Sequence, residues 1–244
     1  MNTNKHLLIL AFAAIFFLES CDIDFLDCYD GKFIEKELVL DEINAIEIDF
    51  PCEIVLVDGP TQQIIVNGKE DLISDLEDKS NVSGKTWKVR LKNNCIKHRE
   101  DVTFTITAPG LKKVDVDGSV RLSCDGILTR LAKTFEIRLD GDADVSLDLP
   151  ELDKLLVDAD GDIDLRFTGS ADAAVYTLDG SGKVRGLDFQ TSSTFLDMDG
   201  STNAEIWATE KLDVKLDGKA TVCVKGHPAI VSQVNGSGKI LDCN

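Results

Sequence analysis

An Asp-Gly or Asn-Gly pair returns about every 20 residues through the C-terminal half of this chain, each time between two alternating apolar segments. The pairs are Asp117-Gly118, Asp140-Gly141, Asp160-Gly161, Asp179-Gly180, Asp199-Gly200, Asp217-Gly218 and Asn235-Gly236, at spacings of 23, 20, 19, 20, 18 and 18. A single unit of this size cannot bury its own apolar side, so a regular period demands that neighbouring units stack. The repeat therefore constrains architecture more tightly than it constrains function.

With the Asp or Asn of each pair as position zero, apolar residues fall at minus 5, minus 3, minus 1, plus 3, plus 5 and plus 7. One repeat reads Leu155, Val157, Ala159, then Asp160-Gly161, then Ile163, Leu165, Phe167; another reads Leu212, Val214, Leu216, Asp217-Gly218, Ala220, Val222, Val224. Period two on both sides of the pair means strand, corner, strand. Asp-Gly also favours the tight turn of an antiparallel hairpin, which leaves a β-sandwich or meander as the alternative. Against a meander, the apolar run is interrupted at the glycine and resumes on the same inner face two residues later, and the units match at 20 residues rather than at half of that. The sequence predicts an all-β chain: a parallel β-solenoid of about seven C-terminal turns, with Gly118, Gly141, Gly161, Gly180, Gly200, Gly218 and Gly236 at its corners.

Upstream, strand-like runs occur at Leu38–Leu40, Ala45–Ile48, Glu53–Val57, Gln63–Val66, Trp87–Leu91 and Val102–Thr107, and Glu70–Asp78 reads as one short helix. Residues 33–110 are expected to form a β-rich cap over the first turn, because an open stack end would expose unpaired strand edges. Residues 111–244 hold the repeats, and 33–244 as one continuous domain is the alternative division.

The first 20 residues read as an export signal, with Lys5 and His6 before an apolar run from Leu7 to Leu18 that is short for a bilayer span. Leu18-Glu19-Ser20-Cys21 resembles the end of a bacterial lipoprotein signal, which makes Cys21 the expected lipidation site and residues 21–32 an acidic tether. Because Glu19 stands where a small residue is usual, a plain secretory signal with a coincidental cysteine is the other reading. A lipid anchor implies the membrane as a partner and the envelope of a Gram-negative cell, at the outer membrane, as the location.

Export bears on the six later cysteines, Cys28, Cys52, Cys95, Cys124, Cys223 and Cys243, which contain no Cys-x-x-Cys pair. Cys52 with Cys95 and Cys223 with Cys243 are the expected disulfides, while Cys124, at an inward position, is expected as a buried free thiol. The net charge of −18, from 44 acidic and 26 basic residues, would repel a phosphate backbone and excludes nucleic acid as a partner.

These features together resemble one known family. The lipoprotein-like leader, the Glu-Ile-Asp-Phe-x-x-x-Ile-Val-Leu segment from Glu47, the lead-in Pro109-Gly110-Leu111 and the Asp-Gly-Ser or Asp-Gly-Asp corners are similar to the head GIN domain family, whose members are labelled putative auto-transporter adhesins. The resemblance covers about residues 35–244. It implies a β-solenoid at the cell envelope and supplies no catalytic residues.

Three functions compete. Outward carboxylates on adjacent turns, Asp140, Asp142 and Asp144 against Asp160, Asp162 and Asp164, could share a calcium ion, although their spacing is not that of an EF-hand. Like charges about 5 Å apart in water repel by only about 0.8 kcal/mol, so a solvated face explains the same pattern. A polysaccharide lyase or hydrolase on a β-helix is the second function, with paired carboxylates for catalysis. Only His6, His98 and His227 are available as histidines, aromatics are 6%, and no long insertion builds a cleft between turns. The expected function is therefore non-enzymatic and without cofactor: an adhesin-like surface module that binds or scaffolds a surface glycan or protein. Trp207, at plus 8, is a candidate outward contact, or else it packs on a neighbouring corner.

Overall fold

A computed structural model describes residues 29–91 and 96–244. The expected signal segment 1–20, lipidation site Cys21, most of the tether 21–32, and the cysteines Cys28 and Cys95 lie outside the described residues. The described chain is all-β apart from one α-helix and one 3-10 turn. Its strands are β1 (Phe33–Glu37), β2 (Ala45–Ile48), β3 (Cys52–Val57) and β4 (Gln63–Lys69), then helix α1 (Glu70–Lys79), β5 (Asn81–Ser83), β6 (Thr86–Val89), β7 (Val102–Thr107), β8 (Lys113–Asp117), β9 (Val120–Asp125) and β10 (Thr134–Asp140). A long extended run, β11 (Ala143–Gly218), follows, and then β12 (Thr221–Lys225), β13 (Ala229–Gly236) and β14 (Lys239–Asp242).

All of the strands belong to one sheet, and its pairing follows the sequence period. Residues one repeat apart lie side by side in parallel register, as in Ile137↔Val157, Asp140↔Asp160, Ala204↔Val222 and Asp217↔Asn235. Odd-phase residues face inward and are buried. They include Phe135, Leu155, Leu165, Phe167, Leu212 and Val222, each fully enclosed in one hydrophobic cluster that runs from Leu38 to Val224. Each such side chain contributes about 1.5–3 kcal/mol by leaving water. Near the middle, Phe167 contacts Phe189 at 6.1 Å and Tyr176 at 6.3 Å between ring centroids, so neighbouring repeats share one aromatic layer.

The seven corner glycines all adopt positive φ, from +104° to +137°. Close approach excludes a side chain as firmly as the dihedral does. A Cβ on Gly180 would sit 2.2 Å from the carbonyl oxygen of Gly161, one repeat earlier. Backbone bonds join the same corners, with the Gly118 N–H donating to the Asp140 carbonyl at 2.7 Å and Gly141 to that of Asp160 at 2.9 Å.

The N-terminal segment does more than cap the stack. β2 lies parallel between β6 and β8, and β3 lies parallel between β7 and β9. Residues 45–57 thus form an internal layer, while β6 and β7, later in sequence, lie outside it. Beyond that outer layer the pairing turns antiparallel, through β4 on β7, β1 on β4 and β5 on β6. Helix α1 buries Leu72, Ile73 and Leu76.

Two sequence expectations change here. The first strand is Phe33–Glu37 rather than Leu38–Leu40: its residues are mostly polar and exposed, as suits an edge strand, so they carried no apolar alternation. Cys52 is a free thiol and is not paired with Cys95. It alternates with Ile54 and Leu56 on the inward face of β3, fully buried, where the core surrounds its sulfur and pushes the thiol pKa up. Cys223 and Cys243 do form a disulfide, with Cα atoms 5.7 Å apart on the paired strands β12 and β14. Cys124 is free and half-buried, and its Sγ accepts a hydrogen bond from the Asp148 N–H at 3.1 Å.

Candidate functional site

Period-two alternation that sends Val120, Ala143 and Ile163 inward sends their neighbours outward, so charged residues of successive repeats line up as columns on the flank. In one column Thr103, Glu53, Arg121 and Asp144 are successive register partners across β7, β3, β9 and β11. Opposite charges meet along it. The Arg121 guanidinium donates to Glu53, its Nε lies 3.7 Å from Asp144, and Thr103 Oγ1 reaches Glu53 at 3.5 Å. The next repeat continues the pattern, with Arg185 donating to Asp164 and Ser181 Oγ to Asp162 at 3.3 Å.

A short loop overhangs this flank. Lys97, His98, Arg99 and Glu100 precede β7, and the Asp101 carboxylate fastens them by accepting the N–H of His98 at 3.2 Å and that of Lys97 at 3.4 Å. Arg99 Nε lies 3.4 Å from Glu100, whose carboxylate reaches Arg121 at 4.0 Å. A hydrogen bond from its own backbone N–H, aided by Arg99 and Arg121, holds the Glu100 carboxyl below its ordinary pKa.

Between the overhang and the column lies an open groove of about 660 Å³. Its floor carries Asp142, Asp144, Asp162 and Asp164, its wall is the Lys97–Glu100 loop, and Lys183 closes the far side. Four of the six aspartates considered for calcium therefore gather in one concave place, while Asp140 and Asp160 stand at the corners, exposed and side by side. Among the described residues no three His, Cys, Asp or Glu side chains converge as a metal ion would require. The groove is polar and of mixed sign, which suits a hydrogen-bonding ligand more than an apolar one. Its wall was not singled out from the sequence; the only trace was the charge run Lys-His-Arg-Glu at 97–100, which reads equally as a solvated loop.

Trp207 does not stand free on the flank. It is half-buried under Lys225, its register partner on the neighbouring strand β12, whose ammonium sits 3.7 Å from the ring centroid and also donates to the Leu187 carbonyl at 3.2 Å. Among the described residues no helix is long and apolar enough to cross a membrane.

Comparison with known proteins agrees with this architecture. A profile of the family described as "Putative auto-transporter adhesin, head GIN domain" matches residues 42–228. No curated protein sequence matches the chain. Among solved structures, a putative adhesin from Bacteroides fragilis is similar at 19% identity with a TM-score of 0.73, over 88% of this chain and 99% of that one. A putative adhesin from Parabacteroides merdae matches at 19% identity and TM-score 0.60, over 88% of this chain and 98% of its own. A structure called a putative lipid binding protein, from Parabacteroides distasonis, matches at 18% and 0.60 with the same coverage. At such identities the likeness concerns the fold.

Proposed function

Because the chain belongs to the head GIN domain family, we propose that it is a non-enzymatic binding module of the cell envelope, held at the outer membrane by a lipid on Cys21. On this reading about seven C-terminal turns form a β-solenoid whose long flank presents the groove to a surface glycan or protein. The observation that carries it is the overhang of Lys97–Glu100 above the carboxylates of Asp142, Asp144, Asp162 and Asp164, a concave and polar place built from two distant parts of the chain. Arg121 and Arg185 lie beside Asp144 and Asp164, a charge-balanced pairing that suits a hydrogen-bonding surface ligand. The test is an array of glycans and cell-surface proteins probed with the wild-type chain and with Asp144→Asn/Asp164→Asn. Binding by the wild type that the variant loses supports the groove. Equal binding by both sinks the groove as the site, and no signal above a scrambled-charge control sinks the binding module itself.

A further inference from the structure

The two ends of the stack are finished differently. At the N-terminal end β1, β4 and β5 turn antiparallel and α1 packs beside them. At the other end β13 bonds β11 from Lys211↔Ala229 to Gly218↔Gly236, and β14 bonds β12 from Thr221↔Lys239 to Val224↔Asp242. Among the described residues nothing pairs with the outer sides of β13 and β14. All of Ala229–Gly236 is exposed, with Ile230 at 46%, Val231 at 62% and Val234 at 41%, and Leu241 lies exposed beside them.

An open strand edge is a template for another strand, and proteins that keep one single usually guard it with charge, proline or a bulge. This edge has no such guard within it, since residues 229–238 carry no charge. It is also held in place. The Cys223–Cys243 disulfide ties β14 to β12, the Gly226 N–H donates to Asn244 Oδ1 at 2.7 Å, and Asn244 Nδ2 donates to the Gly226 carbonyl at 3.0 Å. A strand already extended loses little further freedom on pairing.

Charge selects the occupant. The molecule carries −18, yet no acidic residue occurs from Gly218 to Leu241. Two copies meeting through their aspartate-rich flanks would repel, whereas here an uncharged strand faces an uncharged strand. We propose that this edge is a self-association surface, at which two copies join end to end by antiparallel pairing of β13 with β13. Phase sets the register. Ile230, Ser232 and Val234 continue the inward columns of Leu212, Val214 and Leu216, and residues directly opposite in an antiparallel pair share a face. The two-fold axis therefore falls at Ser232, which sets Ile230 of each copy against Val234 of the other and carries the core across the junction. Such a contact closes after two copies and does not grow into a filament.

The test is sedimentation equilibrium of the full oxidised chain in mild detergent, over a wide concentration range. Wild type is expected to form dimers. Ile230→Lys/Val234→Lys sets like charges opposite each other and should weaken association about 100-fold or more at an unchanged melting temperature. Ile230→Lys/Val234→Glu is self-complementary across the axis and should restore it. Should the double-lysine chain fail to fold, Ser232→Cys decides: under mild oxidation it should cross-link two copies, and Asn203→Cys, on the flank, should not. A wild type that stays monomeric overturns the proposal. So does monomeric protein in which the β13 amides that point away from β11 resist hydrogen exchange, since another segment of the chain would then cover the edge. Association that survives the double lysine, or no cross-link at Ser232→Cys, overturns it equally.

Discussion

Lys225 holds its ammonium 3.7 Å from the centroid of the Trp207 ring, on adjacent strands in parallel register. A cation over a partly exposed indole contributes about 0.5–1 kcal/mol. Lys225→Gln should therefore lower the urea unfolding free energy by about that amount, and Trp207→Leu, which also loses packed area, by more. Adding the second change to the first should cost less than its separate effect, and a double-mutant cycle measures that coupling.

Gly180 and Gly126 both have positive φ, +116° and +79°, but only Gly180 lies against a neighbouring backbone. Gly126→Ala should pay the left-handed penalty alone, about 1–2 kcal/mol. Gly180→Ala must also displace the Gly161 carbonyl, which belongs to a stacked corner, and should be clearly the more destabilising of the two. Urea titration of both variants checks the order, and equal losses would refute the stacking account.

Asp58 links the loop after β3 to the loop before β10. Desolvation pushes its carboxyl up, but the Thr129 hydroxyl and the Arg130 N–H, both at 2.9 Å, together with the Arg130 guanidinium outweigh it and hold the pKa below the ordinary 3.8. A carboxyl depressed in the folded state adds stability above its unfolded pKa, and that stability is lost as pH falls through the lower folded value. Asp58→Asn should lower the unfolding midpoint at neutral pH and converge on wild type as the pH falls below the depressed folded value, as read by melting temperature against pH.

The Cys223–Cys243 bridge closes a short loop, with a sequence separation of 20, across the last two layers. A loop of that length restricts the unfolded chain by about 3 kcal/mol. Cys223→Ser/Cys243→Ser should lose stability of that order, and hydrogen exchange should rise first over Ala229–Asp242, where few buried contacts hold the strands.

The repeat was legible because its physics is local. The side-chain alternation and the corner glycine place Asp140 beside Asp160 and Asp217 beside Asn235, as the period required. The helix at Glu70–Lys79 was legible for the same reason, through Leu72, Ile73 and Leu76 on one face. What stayed hidden depends on distant pairings. Nothing near Ala45 or Cys52 announces that their strands lie inside the stack, and the polar strand Phe33–Glu37 takes its shape from β4 rather than from its own pattern. The groove needed both kinds of information. Its aspartates could be read as an outward column, but the wall at Lys97–Glu100 becomes a wall only once β7 is set against β3.

The layer at residues 45–57 also depends on strands far from it in sequence. Ile46 lies between Trp87 on one side and Val114 on the other, and Ile54 between Phe104 and Leu122. One edge of this layer is covered by β6 and β7 and the other only by β8 and β9, so the layer that comes first in sequence is completed by strands that follow it on both sides.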